Sequence, residues 1–204
     1  MTEPRVEVFE QAVCYQGFFR LERYRLRHRL FSGAWSREMV REVFERGHAA
    51  AVLPYDPVRD QVVLVEQFRI GALRAPEGPW LLEIVAGIIE PGETPQEVVR
   101  REAIEESGCV LQDVVPICDY HVSPGGTTER IALFCGKVDA LHIGGIHGLA
   151  EEEEDIRVLV VPTDEAIALL HAGKILSAAP IIALQWLLLN REPLRRRWGA
   201  IPDV

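Results

Sequence analysis

The sequence predicts an α+β fold. Three observations carry that expectation: stretches with a period of two that read as strands, two helices whose starts are marked by capping residues, and no regular strand–helix–strand alternation. The 204 residues are 48% apolar and 26% charged, which is enough to bury a core without staples. In Tyr24, Leu26, His28 and Leu30 the even positions share one face, while Arg23, Arg25, Arg27 and Arg29 share the other. That alternation is a strand with one arginine-lined side, of the kind found on solvated antiparallel sheets. His48 to Leu53 and Gln61 to Ile70 read as a hairpin around the turn 55–60, which holds Asp56, Pro57 and Asp60. Gly71, Pro76, Gly78 and Pro79 make 71–80 a loop, and Leu82 to Ala86 a short strand after it.

The clearest helix signal follows. Thr94 is an N-cap, Pro95 suits the first helical position and Glu97 completes a capping box. The helix is expected to reach Ser107 and stop at Gly108. Pro116 to Val122 and Arg130 to Val138 read as strands, 144–148 as a glycine-rich loop, and Ile156 to Val161 as a buried strand. Thr163 to Ala172 and Ala179 to Asn190 read as helices, the first capped by Thr163. The chain divides into an N-terminal β-unit, 1–47, and a larger domain, 48–204.

Charge and cysteine content narrow the function classes. With 31 acidic and 22 basic residues, the chain carries a formal charge of −9. No general nucleic-acid or anionic-membrane surface is expected from that balance. The cysteines at 14, 109, 118 and 135 have neither zinc-finger nor disulfide-framework spacing. Cys109, Cys118 and Cys135 read as reduced core residues. No charged segment followed by an apolar run marks the N-terminus, and the longest apolar stretch, Ile175 to Leu189, is too short and too interrupted to span a bilayer. A cytoplasmic protein is the expectation.

The chemistry concentrates between Gly87 and Cys109. Glu102, Glu105 and Glu106 stand at i, i+3 and i+4, so three carboxylates share one helix face. Like charges so spaced repel by a few tenths of a kcal/mol per pair. Two readings are open on these residues alone: a site for a hard divalent cation such as Mg²⁺ or Mn²⁺, or a solvated acidic face partnered by Arg100 and Arg101.

The full pattern matches G-x5-E-x7-R-E-U-x-E-E-x-G-U at every fixed position, through Gly87, Glu93, Arg101, Glu102, Glu105, Glu106 and Gly108. Ala103 and Cys109 fill the two apolar slots. The chain thus resembles a Nudix hydrolase. The resemblance implies an α/β/α sandwich with a mixed sheet and hydrolysis of a nucleoside diphosphate linked to another group. It implies Mg²⁺ or Mn²⁺ held by Glu102, Glu106 and the carbonyl of Ala86, with Glu105 ligating an additional ion. Glu93 would hydrogen-bond Arg101 and hold the loop on the helix.

Outside the box, Val65-Glu66-Gln67-Phe68-Arg69, Ser123-Pro124-Gly125-Gly126-Thr127-Thr128-Glu129 and 145–156 are similar to the family branch that cleaves ADP-ribose to AMP and ribose 5-phosphate. That branch carries its catalytic base on a loop beyond the box. Its flanks place the base at Glu152 and a further metal ligand at Glu154, with Glu151 and Glu153 facing solvent if the run is extended. By the same resemblance, Arg69 meets phosphate or ribose oxygens and Phe18 or Phe19 stacks on adenine. Ser123, Gly125 and Glu129 line the terminal ribose, and Arg41 and Arg46 come from the partner subunit of a homodimer. Core packing is the alternative for Phe18 and Phe19; pairing with Glu42 or Glu45 is the alternative for the two arginines. Rival functions are a Nudix enzyme acting on a GDP-sugar, a dinucleoside polyphosphate or a flavin dinucleotide, and a non-catalytic sensor of ADP-ribose. The sensor would be expected to lose box glutamates, and all stand here.

Overall fold

The computed structural model describes residues 5–202, the side chain of Glu152 excepted. The chain forms two units: one holds the residues to His48 together with His121–Arg130, and the other holds Ala49–Tyr120 and Ile131 onward. The segment His121–Arg130, which the sequence reading leaves in the larger domain, therefore clusters with the N-terminal strands.

The first unit is built on a three-stranded antiparallel sheet, β1 (Val6–Gln16), β2 (Arg20–His28) and β3 (Met39–Glu45), in that order. Its arginine face is laced with acids and aromatic rings. Arg25 reaches Glu38 at 2.8 Å and Arg27 reaches Glu7 at 2.6 Å. Arg27 and Arg29 both lie over the Trp35 ring, at 4.6 and 4.3 Å.

The second unit contains a mixed sheet. Its strands are β4 (Ala49–Asp56), β5 (Gln61–Phe68), β6 (Trp80–Glu83), β7 (Val85–Ile88), β8 (Asp113–His121), β9 (Arg130–Lys137), β10 (Gly145–His147) and β11 (Ile156–Pro162). The order is β10-β11-β5-β4-β9-β8, with β6 added to β5 and β7 to β4. β4 runs parallel to β9 and antiparallel to β5 and β7. The helix α1 (Pro95–Ser107) covers one face through Val98, Val99 and Ala103, which pack on Val52, Val63 and Val65. The helices α2 (Thr163–His171) and α3 (Ala178–Arg197) cover the other, where Ala166, Leu184 and Leu187 meet Leu53 and Leu64. Alternate residues of β4 and β5 thus feed two cores, which explains why these strands are apolar at nearly every position. This is the α/β/α sandwich expected from the sequence.

Several local expectations are corrected. The 48–70 hairpin pairs only beside its turn, at Tyr55–Val62 and Asp56–Gln61; beyond that, β6 and β7 wedge in. The single strand at 82–86 is two strands divided at Ile84, because Glu83 pairs with β5 and Val85 with β4. Gly145–His147 forms an edge strand on β11 rather than a loop, and β11 is buried on one face only, with Arg157 paired to Glu66 on the other. Thr163 is the first helical residue and not the cap; its hydroxyl donates to the Asp60 carbonyl at 2.9 Å. α3 continues through Pro193 to Arg197 because Arg191 clamps Asp60 at 2.9 Å while Leu194 and Trp198 bury in the core. Cys118 is exposed, since strand alternation puts it on the face opposite the buried Val115 and half-buried Ile117. Among the described residues no helix is long and apolar enough to cross a membrane.

Candidate active site

The carboxylate face is set by α1 and the strand beneath it. Thr94 and Glu97 close the capping box: the Thr94 N–H donates to Glu97 at 2.8 Å, and the Glu97 N–H donates back to the Thr94 hydroxyl at 3.3 Å. Gly108 ends the helix in the left-handed conformation at φ 68°. Between these caps the helix lies directly on β7. A Cβ at position 87 would sit 1.9 Å from a carboxylate oxygen of Glu102, so any larger residue would push this side chain off its place over the strand. One turn later, Glu106 is 3% exposed and accepts the Ala86 N–H at 3.0 Å. Glu102, Glu106 and Ala86, three of the proposed metal-binding positions, are therefore brought to one place.

Burial pushes the Glu106 carboxyl up to about 8, and the neighbouring charges of Glu102 and Glu154 add to the rise. Burial also raises Glu102, against the pull of Arg101. The cation that compensates this helix face is Arg101, which donates to Glu102 at 2.8 Å, Glu105 at 3.0 Å and Glu93 at 3.2 Å. It holds the Glu93 carboxyl below the usual range. Glu93 also accepts the Glu90 N–H at 3.1 Å, which ties the loop to the helix. Arg100 takes no part: it donates to the Leu111 carbonyl at 2.6 Å. Among the described residues no three acidic, histidine or cysteine side chains stand close enough to hold an ion as they are. The donor set is all oxygen, which fits a hard divalent cation and disfavours zinc.

A pH dependence of stability follows. An acid whose proton affinity is raised on folding stabilises the fold at low pH, and that contribution is lost as pH climbs from 4.5 through about 8. Metal-free protein is expected to lose thermal stability across this window, and Glu106→Gln to flatten the loss. Unfolding midpoints measured in chelator check this. An equal slope in both proteins would contradict it.

The acidic run leaves the extended form. Ala150–Glu152 makes a 3-10 turn and Glu153 is left-handed at φ 54°, so alternation does not govern it. Glu151 and Glu153 are nonetheless exposed and Glu154 is half-buried, its carboxylate accepting the Leu149 N–H at 3.2 Å. The side chain of Glu152 lies outside the described residues. Glu154 joins Arg69 and Trp80 around a cavity of about 370 Å³. Gln67 lines it too; it is 5% exposed and its amide nitrogen has no hydrogen-bond partner among the described residues. Sequence reasoning missed Gln67, although its place two residues before Arg69 puts both on one face of the strand line.

Phe18, Phe19, Arg41, Arg46, Ser123, Gly125 and Glu129 all belong to the first unit. Phe18 is 87% exposed, which removes the core-packing alternative for it. Phe19 is half-buried between Phe18 and Phe44, with ring centroids at 4.8 and 5.1 Å. Arg46 lies 5.2 Å over the Phe19 ring and reaches Glu129 at 3.5 Å, so neither Glu42 nor Glu45 is the partner seen. Glu129 is buried, Ser123 and Gly125 are exposed in a turn, and the exposed Arg41 donates to the Val40 carbonyl at 2.8 Å.

The chain is similar to known proteins over most of its length. Residues 45–184 match the NUDIX domain. The chain is 54% identical to an ADP-ribose pyrophosphatase of Escherichia coli (strain K12) over 194 residues, covering 95% of this chain and 93% of that one. It is 45% identical to an ADP-ribose pyrophosphatase of Haemophilus influenzae, at 95% and 90% coverage. It is 35% identical to a GDP-mannose pyrophosphatase of Pectobacterium atrosepticum, at 91% and 94%. A solved ADP compounds hydrolase shares the fold, with a TM-score of 0.71 over 98% of this chain and all of that one at 19% identity.

Proposed function

The chain belongs to the NUDIX domain family, and from that premise we propose that it is an enzyme that hydrolyses the pyrophosphate bond of ADP-ribose to AMP and ribose 5-phosphate. The observation that carries the reading is Glu106, buried on Ala86 beside Glu102 with its proton affinity raised, a place where negative charge is costly until a cation arrives. The identity to the two ADP-ribose pyrophosphatases supports the substrate.

A bound Mg²⁺ or Mn²⁺ would neutralise the phosphate oxygens and acidify a water. Glu102, Glu106, Glu154 and the Ala86 carbonyl are the groups to hold it, and Glu105 is placed to serve an additional ion. Glu152 takes the proton of the attacking water. Arg69 binds phosphate oxygens, while Glu93 and Arg101 keep the loop seated on α1. Phe18 and Phe19 offer the aromatic faces for adenine. Ser123, Gly125 and Glu129 line the terminal ribose. The enzyme works in the cytoplasm, where its cysteines stay as thiols, and neither nucleic acid nor membrane is a partner.

The test is a panel of ADP-ribose, GDP-mannose, NADH, FAD and diadenosine polyphosphates, run with Mg²⁺, with Mn²⁺, with Zn²⁺ and with EDTA. ADP-ribose is expected to give the highest kcat/KM, with Mg²⁺ or Mn²⁺ required and Zn²⁺ serving poorly. The GDP-mannose pyrophosphatase likeness favours GDP-mannose as the second reading, and a higher kcat/KM for it would replace the first.

A homodimer completes the proposal. The three-stranded sheet leaves Val8, Val13 and Tyr15 exposed, apolar side chains available for a partner subunit to cover. Arg41 and Arg46 would then act on the partner's substrate. Mixing an Arg41→Ala, Arg46→Ala chain with a Glu102→Gln chain is expected to restore activity, since one intact site forms per mixed dimer. Absence of recovery after proven subunit exchange would exclude sharing.

A further inference from the structure

We propose that Glu83 is a positioning residue that fixes the Arg69 guanidinium for a phosphate oxygen of the substrate; this rests on the reading of Arg69 as a phosphate contact. Arg69 follows the last residue of β5, at the start of the loop containing Gly71, Pro76, Gly78 and Pro79. Its backbone is pinned there, donating to the Pro79 carbonyl at 2.7 Å. Its side chain is 42% exposed, and an arginine so placed would ordinarily sample many rotamers. Here the Nε–H donates to Glu83 at 2.7 Å. Because Nε is the nitrogen engaged, the two terminal nitrogens of the fork, which make no hydrogen bond among the described residues, remain for an anion.

Glu83 is itself held. Its side chain is 14% exposed, and its other oxygen accepts the Ser177 hydroxyl at 2.5 Å. Ser177 immediately precedes α3, so one carboxylate ties the guanidinium to both β6 and the start of that helix. The guanidinium stands where charge matters: Arg69 and Glu154 line the same cavity. With Arg69 this open to solvent the ion pair contributes little to stability, so the weight of the pairing falls on orientation. Ordering a long side chain before the ligand arrives removes that entropic cost from binding.

Glu83→Gln keeps the shape and removes the charge. It is expected to raise KM roughly tenfold, the factor that ordering one such side chain represents, with kcat within about twofold. Ser177→Ala is expected to do the same more weakly. The deciding comparison is a double-mutant cycle with Arg69→Ala, run on protein whose folding is checked by unfolding midpoint. If Glu83 acts through Arg69, Glu83→Gln adds nothing once Arg69→Ala is present. An equal rise in KM in both backgrounds overturns the proposal, because Glu83 would then act independently. A raised KM in Arg69→Ala with none in Glu83→Gln overturns the positioning role alone. An unchanged KM in Arg69→Ala overturns both the phosphate contact and the role built on it. Arg69→Gln repeats the comparison should the alanine variant fold poorly.

Discussion

Glu106→Gln is expected to lower kcat with Mg²⁺ by about three orders of magnitude, the scale seen when a preorganised electrostatic group is removed from a reaction centre. The side chain is buried and makes one neutral contact, to the Ala86 N–H, which the glutamine oxygen can still accept. Shape and packing are therefore kept while the charge goes. The metal-free fold gains from the change, because a buried carboxylate that resists ionisation is replaced by a neutral amide. Lost activity together with retained or raised thermal stability is the signature of a ligand rather than of a packing residue. Steady-state kinetics over a Mg²⁺ titration, with an unfolding midpoint for each protein, check it. A variant within about tenfold of the parent would remove Glu106 from the site.

Glu152→Gln is the second change with a large expected effect, lowering kcat by roughly two to four orders of magnitude, the usual range for loss of a general base. KM for ADP-ribose is expected to move little, since the amide keeps the shape. Glu154→Gln is expected to raise the Mg²⁺ needed for half-maximal rate. Glu151→Gln and Glu153→Gln are expected to be nearly silent, as both side chains are exposed. Single-variant kinetics of all four glutamates decide the register. Sensitivity at Glu151 and Glu153 instead would move the base by one residue, and four silent variants would send the search to Glu129.

The cap at Thr94, the stop at Gly108 and the order of the box residues were legible because each rests on a local rule of backbone chemistry. Long-range pairing was less so. Leu82 to Ala86 is one apolar run in sequence, and nothing within it tells that Glu83 and Val85 take different partner strands. The end of α3 was hidden because Pro193 looks like a breaker, whereas Arg191 reaches a turn 131 residues away. At the site, spacing placed three carboxylates on one face but did not show that Arg101 spans Glu93, Glu102 and Glu105 at once. Glu83 and Gln67 fall outside the box, and only folding brings them to Arg69 and the cavity.

The most direct test of the account is product analysis after incubating the purified chain with ADP-ribose and Mg²⁺, alone and with excess EDTA. Hydrolysis at the pyrophosphate predicts AMP and ribose 5-phosphate in equal amounts with metal, and intact ADP-ribose with chelator. Intact ADP-ribose in the presence of metal, or undiminished turnover in EDTA, would contradict it.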